Sequence, residues 1–245
     1  MKNYFITATD TDAGKTFVAC AITQALINQG KKVAVYKPIS AGCRREGEVL
    51  INEDALLLSQ FANCQQAISE VNPIAFIDAI APHIAAEKEN LTISLVDIAQ
   101  GYEQIKATNA DISITEGAGG WRLPLGANDM NNNVFLSDFA KASQQTVILV
   151  VNMKLGCLNH ALLSYEAIKA DGLDCIAWIA NNASSEPMTN LAENITSLEK
   201  LLPIPKIAQL DYFNDDNMSF SDKINLAAKQ INVALLLDKE RSKLT

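Results

Sequence analysis

The sequence predicts an α/β fold: a doubly wound, mostly parallel sheet with helices on both faces. Three observations carry that expectation. Apolar strand-like runs alternate with amphipathic helical stretches along the chain. The runs are nearly continuously apolar, as strands covered on both faces require. The first of them, over 2–8, passes through a Thr/Asp/Gly turn at 9–16 into a helix over 17–28 that stops at Gly30.

Tyr4, Phe5 and Ile6 give the first strand the bulk of a buried sheet position. A second strand is expected over 33–36, then a polar excursion over 40–52 and a helix over 53–61. Residues 73–82 read as irregular, and apolar spacing predicts a helix over 91–107. A strand over 111–115 ends at Glu116-Gly117-Ala118-Gly119-Gly120. Residues 121–133, rich in Gly and Asn, read as a mobile loop flanking the site. Next come a helix over 134–142, a strand over 146–152 and a helix over 158–170 closed by Gly172. A strand over 175–180 ending in Asn181-Asn182, a helix over 190–201, a strand over 204–210 and a helix over 222–237 complete the chain. There is no repeat and no low-complexity linker, so residues 1–245 are expected to form one domain.

A net charge of −8 and the lack of a basic stripe argue against a nucleic-acid partner. No apolar run approaches bilayer length, and the first residues do not read as a signal segment, so no membrane partner is expected. Five scattered cysteines without C-x-x-C pairing fit neither a disulfide framework nor a zinc site. A cytoplasmic location is the expectation.

In a parallel sheet, ligands bind beyond the carboxyl ends of the strands. At the first strand's end, Gly14-Lys15-Thr16 opens a helix. Free backbone N–H groups there would face an oxyanion, Lys15 would reach the outer phosphates, and Thr16 would offer a hydroxyl to Mg²⁺. This strand–turn–helix unit makes the expected fold P-loop NTPase-like, although Thr9 stands where the strict P-loop pattern has its first glycine. Lys37, before Pro38, sits at the same edge and would add a second cation to stabilise charge during phosphoryl transfer. Asp54 and Glu116, with Thr16 and nucleotide oxygens, would form a hard-oxygen site suited to Mg²⁺. The turn from Lys154 to Asn159 opens another helix whose free N–H groups suit a carboxylate. Cys157 reads as a small packed residue, and His83 and His160 as structural.

Assembled, these residues make the chain resemble the dethiobiotin synthetase family. The matching stretches are Thr9-Asp10-Thr11 through Gly14-Lys15-Thr16, Tyr36-Lys37-Pro38, Asp54-Ala55 and Pro82-His83. They continue through the Glu116 to Trp121 run, Pro124-Leu125, the Lys154 to His160 run and Ala180-Asn181. The resemblance implies ATP-dependent ring closure of 7,8-diaminononanoate with CO₂ through a carbamate and its mixed anhydride with phosphate. By position, Asp12, Ala13, Gly14, Lys15, Thr16 and Phe17 would hold the phosphates, and Thr16, Asp54 and Glu116 would gather Mg²⁺. Lys37, helped by Lys15 and Thr11, would act on the carbamate and the transferring phosphoryl group. Asn181 resembles the adenine-recognition residue. Gly117, Ala118, Gly119, Asn182, Asp211, Tyr212 and Phe213 would also face nucleotide. Family members are homodimers in which the partner's turn, here Gly156, Cys157, Leu158 and Asn159, takes the substrate carboxylate.

Three positions depart from the family: Ala8 replaces a glycine, Ala41 stands where a Ser or Thr is usual, and Ala208-Gln209-Leu210-Asp211 replaces Gly-Glu-Ile-Pro. Ser40 and Ala41 are thus alternative substrate neighbours. A rival class is a partition-type switch ATPase, but those carry an early P-loop lysine where this chain has residues 9–12.

Overall fold

A computed structural model describes residues 1–127, 132–186, 188–215 and 217–238. The first half of the chain runs β1 (Lys2–Ala8), α1 (Lys15–Asn28), β2 (Val33–Tyr36), β3 (Ile39–Ser40), β4 (Arg44–Glu46), β5 (Val49–Ile51), α2 (Glu53–Phe61), α3 (Ile68–Val71), β6 (Ile74–Ala75), α4 (Pro82–Lys88), α5 (Leu95–Ala107) and β7 (Ile112–Glu116). The second half runs β8 (Pro124–Ala127), β9 (Asn133–Phe135), α6 (Leu136–Ala142), β10 (Thr146–Asn152), α7 (Cys157–Ala170), β11 (Cys175–Asn181), α8 (Leu191–Leu201), β12 (Lys206–Leu210), α9 (Phe220–Gln230) and α10 (Ala234–Leu237).

Six strands form one sheet in the order β12-β11-β10-β1-β7-β2, every neighbour parallel. Alternating residues of β1 feed opposite faces, Tyr4, Ile6 and Ala8 one side and Phe5 the other. The first face packs on α1, α2, α9 and α10, the second on α4, α5, α6, α7 and α8. The sheet is therefore wound on both sides, as the apolar runs anticipate.

Because β7 lies between β1 and β2, three adjacent strands end beside one another. Their carboxyl ends deliver the turn into α1, Glu116 and Lys37 to one place.

β2 is an edge strand, and an open edge leaves every second backbone N–H and C=O without a strand partner. Side chains and a backbone carbonyl from 63–72 supply those partners. Val33 N–H donates to Asn63 Oδ1 at 2.7 Å, and Val35 N–H donates to Gln66 Oε1 at 3.0 Å. Gln66 Nε2 returns a bond to Val35 O at 2.9 Å, and Lys37 N–H donates to Val71 O at 2.7 Å.

Five stretches differ from expectation. The polar excursion contains a hairpin of β4 and β5, and β3 pairs with β6. Residues 82–88, beyond the irregular stretch, are helical because Pro82 at a first-turn position needs no donor. The helix expected from 91 begins at Leu95, where the Ser94 hydroxyl caps Val96 N at 3.1 Å. The closing helix is interrupted after Gln230, where Asn232 N–H turns back to Ile207 O at 2.9 Å. Within the loop expected over 121–133, β8 and β9 form a hairpin that takes up Val134, so α6 starts at Leu136. Residues 128–131 of that loop lie outside the described residues.

Candidate active site

The turn between β1 and α1 is built around Gly14, whose φ of +75° puts it in the left-handed region. A Cβ there would stand 2.3 Å from Asn181 Nδ2, which donates to Ala13 O at 2.8 Å. The end of β11 thus braces the phosphate turn from behind, and only glycine satisfies both demands. Lys15 Nζ donates to Asp10 O at 3.2 Å. Asp10 in turn pairs with Lys154 at the head of the turn into α7.

The charged centre is compact. Lys37 Nζ lies 2.5 Å from Glu116 Oε1 and 2.9 Å from Asp54 Oδ2, and Thr16 Oγ1 donates to the same Glu116 oxygen at 2.9 Å. Lys37 and Glu116 are both buried. Burial by itself would lower the Lys37 ammonium, but Glu116 and Asp54 outweigh it and hold it above its ordinary value. Burial pushes Glu116 up against the pull of Lys37. Burial alone would raise Asp54, but Lys37, together with Thr16 and Lys15, draws it below the usual carboxylate range. Burial lowers Lys15, and neighbouring Lys37 adds to it, while Glu116 opposes.

Two carboxylates and a hydroxyl suit a hard divalent cation that shares its sphere with phosphate oxygens and water. Glu116 Oε2 is buried and has no hydrogen-bond partner, a lone acceptor that such an ion would satisfy. Among the described residues there is no cluster of three or more His, Cys, Asp and Glu able to hold a metal by itself. The residues present fit Mg²⁺ brought with a nucleotide.

One cavity of about 1100 Å³ gathers most of the residues singled out from sequence: Thr11, Asp12, Gly14, Lys15, Thr16, Phe17, Lys37, Ser40, Ala41, Asp54, Glu116, Ala118, Gly119, Asn181, Asn182, Asp211, Tyr212 and Phe213. Ala13 is fully buried behind the turn, and Gly117 presses on the Phe5 ring, where a Cβ would come within 2.9 Å; neither lines the cavity. Nor do Gly156, Cys157, Leu158 and Asn159. Cys157 is buried, while Gly156 and Asn159 are exposed.

The cavity also recruits residues that sequence reasoning did not assign to it. Asn52 caps α2 through Ala55 N at 3.3 Å, so its signal was an N-cap immediately before Glu53-Asp54. Ala79, Ile80, Ala81, Leu123 and Ala183 add largely apolar wall. Phe220 and Lys223, one turn apart on α9, come from an element whose sequence carries no nucleotide motif. Phe17 packs between Phe213 and Phe220, with ring centroids at 5.7 and 6.1 Å.

A parallel sheet wound on both faces, with a lysine–threonine turn opening the helix after its central strand, defines a P-loop nucleotide-binding protein. Residues 2–216 match the AAA domain family, AAA_26. The MinD cell division protein of Aquifex aeolicus shares the fold, with a TM-score of 0.53 at 16% identity over 94% of this chain and 96% of that one. Closer in sequence are two proteins called ATP-dependent dethiobiotin synthetase BioD. That of Alteromonas mediterranea is 46% identical over 217 residues, covering 86% of this chain and 93% of its own length. That of Pseudoalteromonas translucida is 43% identical over 212 residues, covering 86% and 91%. The chain belongs to the dethiobiotin synthetase family.

Proposed function

We propose that this chain is an ATP-dependent dethiobiotin synthetase, a ligase that closes 7,8-diaminononanoate and CO₂ into a cyclic urea in biotin synthesis, releasing ADP and phosphate. The observation that carries the proposal is the meeting of Lys37, Glu116, Asp54 and Thr16 beside the phosphate turn, within a cavity large enough for nucleotide and diamine. The family relationship supports reading such a centre as one that serves this reaction.

In this reading the substrate carbamate lies against Thr11 and Lys37, in line with the γ-phosphoryl group. Lys15 and Lys37 meet the charge that spreads over the phosphoryl oxygens during transfer. The second amine then displaces phosphate from the mixed anhydride and closes the ring. Thr16, Asp54 and Glu116 would hold Mg²⁺, which when bound neutralises phosphate charge. Asn181, Asn182, Asp211, Tyr212 and Phe213 receive the nucleoside, with Gly117, Ala118 and Gly119 beside it. The Gly156 to Asn159 turn serves the partner subunit of a homodimer by capturing the substrate carboxylate, which accounts for its place outside the cavity of its own chain. Residues 1–245 act as a single domain in the cytoplasm. A partition-type switch is not favoured, since the family relationship points to the synthetase and the MinD likeness concerns fold alone.

The test is phosphate release from ATP with and without diaminononanoate and bicarbonate. Release is expected to require both, and to stop with magnesium chelated. Rapid hydrolysis of ATP alone, indifferent to either compound, would overturn the reading.

A further inference from the structure

The strap over 63–72 that covers the open edge of β2 ends at Lys37, and there it does more than close a sheet. Both backbone groups of Lys37 are held by consecutive strap residues. Its N–H donates to Val71 O and its carbonyl accepts from Asn72 Nδ2, each at 2.7 Å. Asn72 is 5% exposed and saturated: Nδ2 also reaches Ile74 O at 3.3 Å, and Oδ1 accepts from Ser40 Oγ at 2.7 Å. Pro38 follows Lys37 and supplies no N–H, so the next donor that could anchor this elbow is missing.

We propose that Asn72 is a positioning residue for Lys37, and that Ser40 completes this clamp through its hydroxyl rather than contacting substrate. The inference rests on the reading of Lys37 as the group that meets the carbamate. A lysine ammonium rides on a flexible four-carbon stem, so its place is defined only when its backbone is fixed. Here Nζ must reach carboxylates from two other elements, Glu116 on β7 and Asp54 on α2, and a shifted elbow would forfeit one of them. The Ser40 side chain is buried, and its hydroxyl is already committed to Asn72 with Cys43 Sγ 3.2 Å away. Ala41, which also lines the cavity, presents only a methyl group. The hydroxyl at this corner is therefore a buried one that stiffens the lysine's support.

Ser40→Ala, Asn72→Ala and the double variant test this by steady-state kinetics, with ADP affinity as a control on the folded phosphate turn. Asn72→Ala is expected to lower kcat by on the order of 10²-fold, the cost of displacing a reacting group by about an ångström. Ser40→Ala should lower kcat less, with KM for diamine and ATP unchanged. The double variant should be no slower than Asn72→Ala, because the hydroxyl works through the amide. Ser40→Thr, which keeps the hydroxyl, should restore kcat. A raised KM for diamine with kcat intact in Ser40→Ala, or effects that multiply in the double variant, would overturn the clamp. A crystal structure of Asn72→Ala decides the point without activity: Lys37 Nζ should leave Glu116 or Asp54, and an unmoved ammonium refutes the proposal. Wild-type protein without diamine-dependent phosphate release would instead refute the functional reading.

Discussion

Two glycines flank α1 with nearly the same backbone and opposite surroundings. Gly14 has φ +75° and Gly30 has φ +73°, but a Cβ on Gly30 meets nothing within 4 Å, while one on Gly14 meets Asn181 Nδ2 at 2.3 Å. Alanine at either position bears the left-handed penalty of about 1–2 kcal/mol. At Gly14 it must also expel the Asn181 amide from Ala13 O, losing a hydrogen bond of about 1 kcal/mol. Forcing that side chain from its rotamer adds about 1 kcal/mol more. Gly14→Ala should therefore be less stable than Gly30→Ala by about 2 kcal/mol, or about 4–8 °C in Tm for a domain of this size. Thermal unfolding followed by circular dichroism measures the difference. Titration calorimetry with ADP should show weakened binding for Gly14→Ala and unchanged binding for Gly30→Ala, which lies at the far end of the helix. Equal melting temperatures and wild-type ADP affinity in both variants would refute the bracing role of Asn181.

Lys37→Ala should lose on the order of 10²-fold or more in turnover, as removal of one transition-state donor does elsewhere; single-turnover phosphate release measures it, and near-wild-type rates would exclude Lys37 from the mechanism. Mixed dimers of Lys37→Ala and Asn159→Ala subunits should recover activity, since one composite site keeps both residues; no recovery would count against capture of the substrate carboxylate in trans. Tyr4 makes stability fall in alkali: burial raises its phenol from 10.0 to about 12, so the unfolded chain releases the proton first and folding weakens as pH climbs between those values. The loss across that window is about 2–3 kcal/mol. Tyr4→Phe should flatten this dependence in urea titrations between pH 9.5 and 12, at a cost near neutrality of about 1 kcal/mol for the lost bond to Leu236 O.

How far the sequence discloses this molecule depends on where each part finds its partners. The sheet strands and the phosphate turn are legible because their constraints are local and continuous: Ile6 to Ala8, then Gly14, Lys15 and Thr16, then an apolar helix. Glu116 and Lys37 are legible as ends of apolar runs, and the rule that parallel strands bind at their carboxyl ends brings them together before any distance is known. The order β1-β7-β2, which makes them neighbours, has no local signature, since any of these runs satisfies the same apolar demand.

The strap over 63–72 shows the other limit. Asn63, Gln66 and Asn72 follow no helical or strand period, and each looks like loop polarity in isolation. Their meaning exists only against the edge of β2, whose outward groups at Val33 and Val35, continued by Lys37 just past its end, recur at the two-residue period of a strand. Pairing polar side chains to an edge in this way blocks the addition of another strand, so the strap has a sufficient reason in the fold alone. Ending it on Lys37 costs nothing further, because the last outward group of β2 already lies at the ligand edge of the sheet. Strand protection and the placement of the ammonium are thus two consequences of one arrangement. A substitution at Asn72 should disturb the chemistry before it unravels the sheet, because Asn63 and Gln66 still cover the rest of the edge.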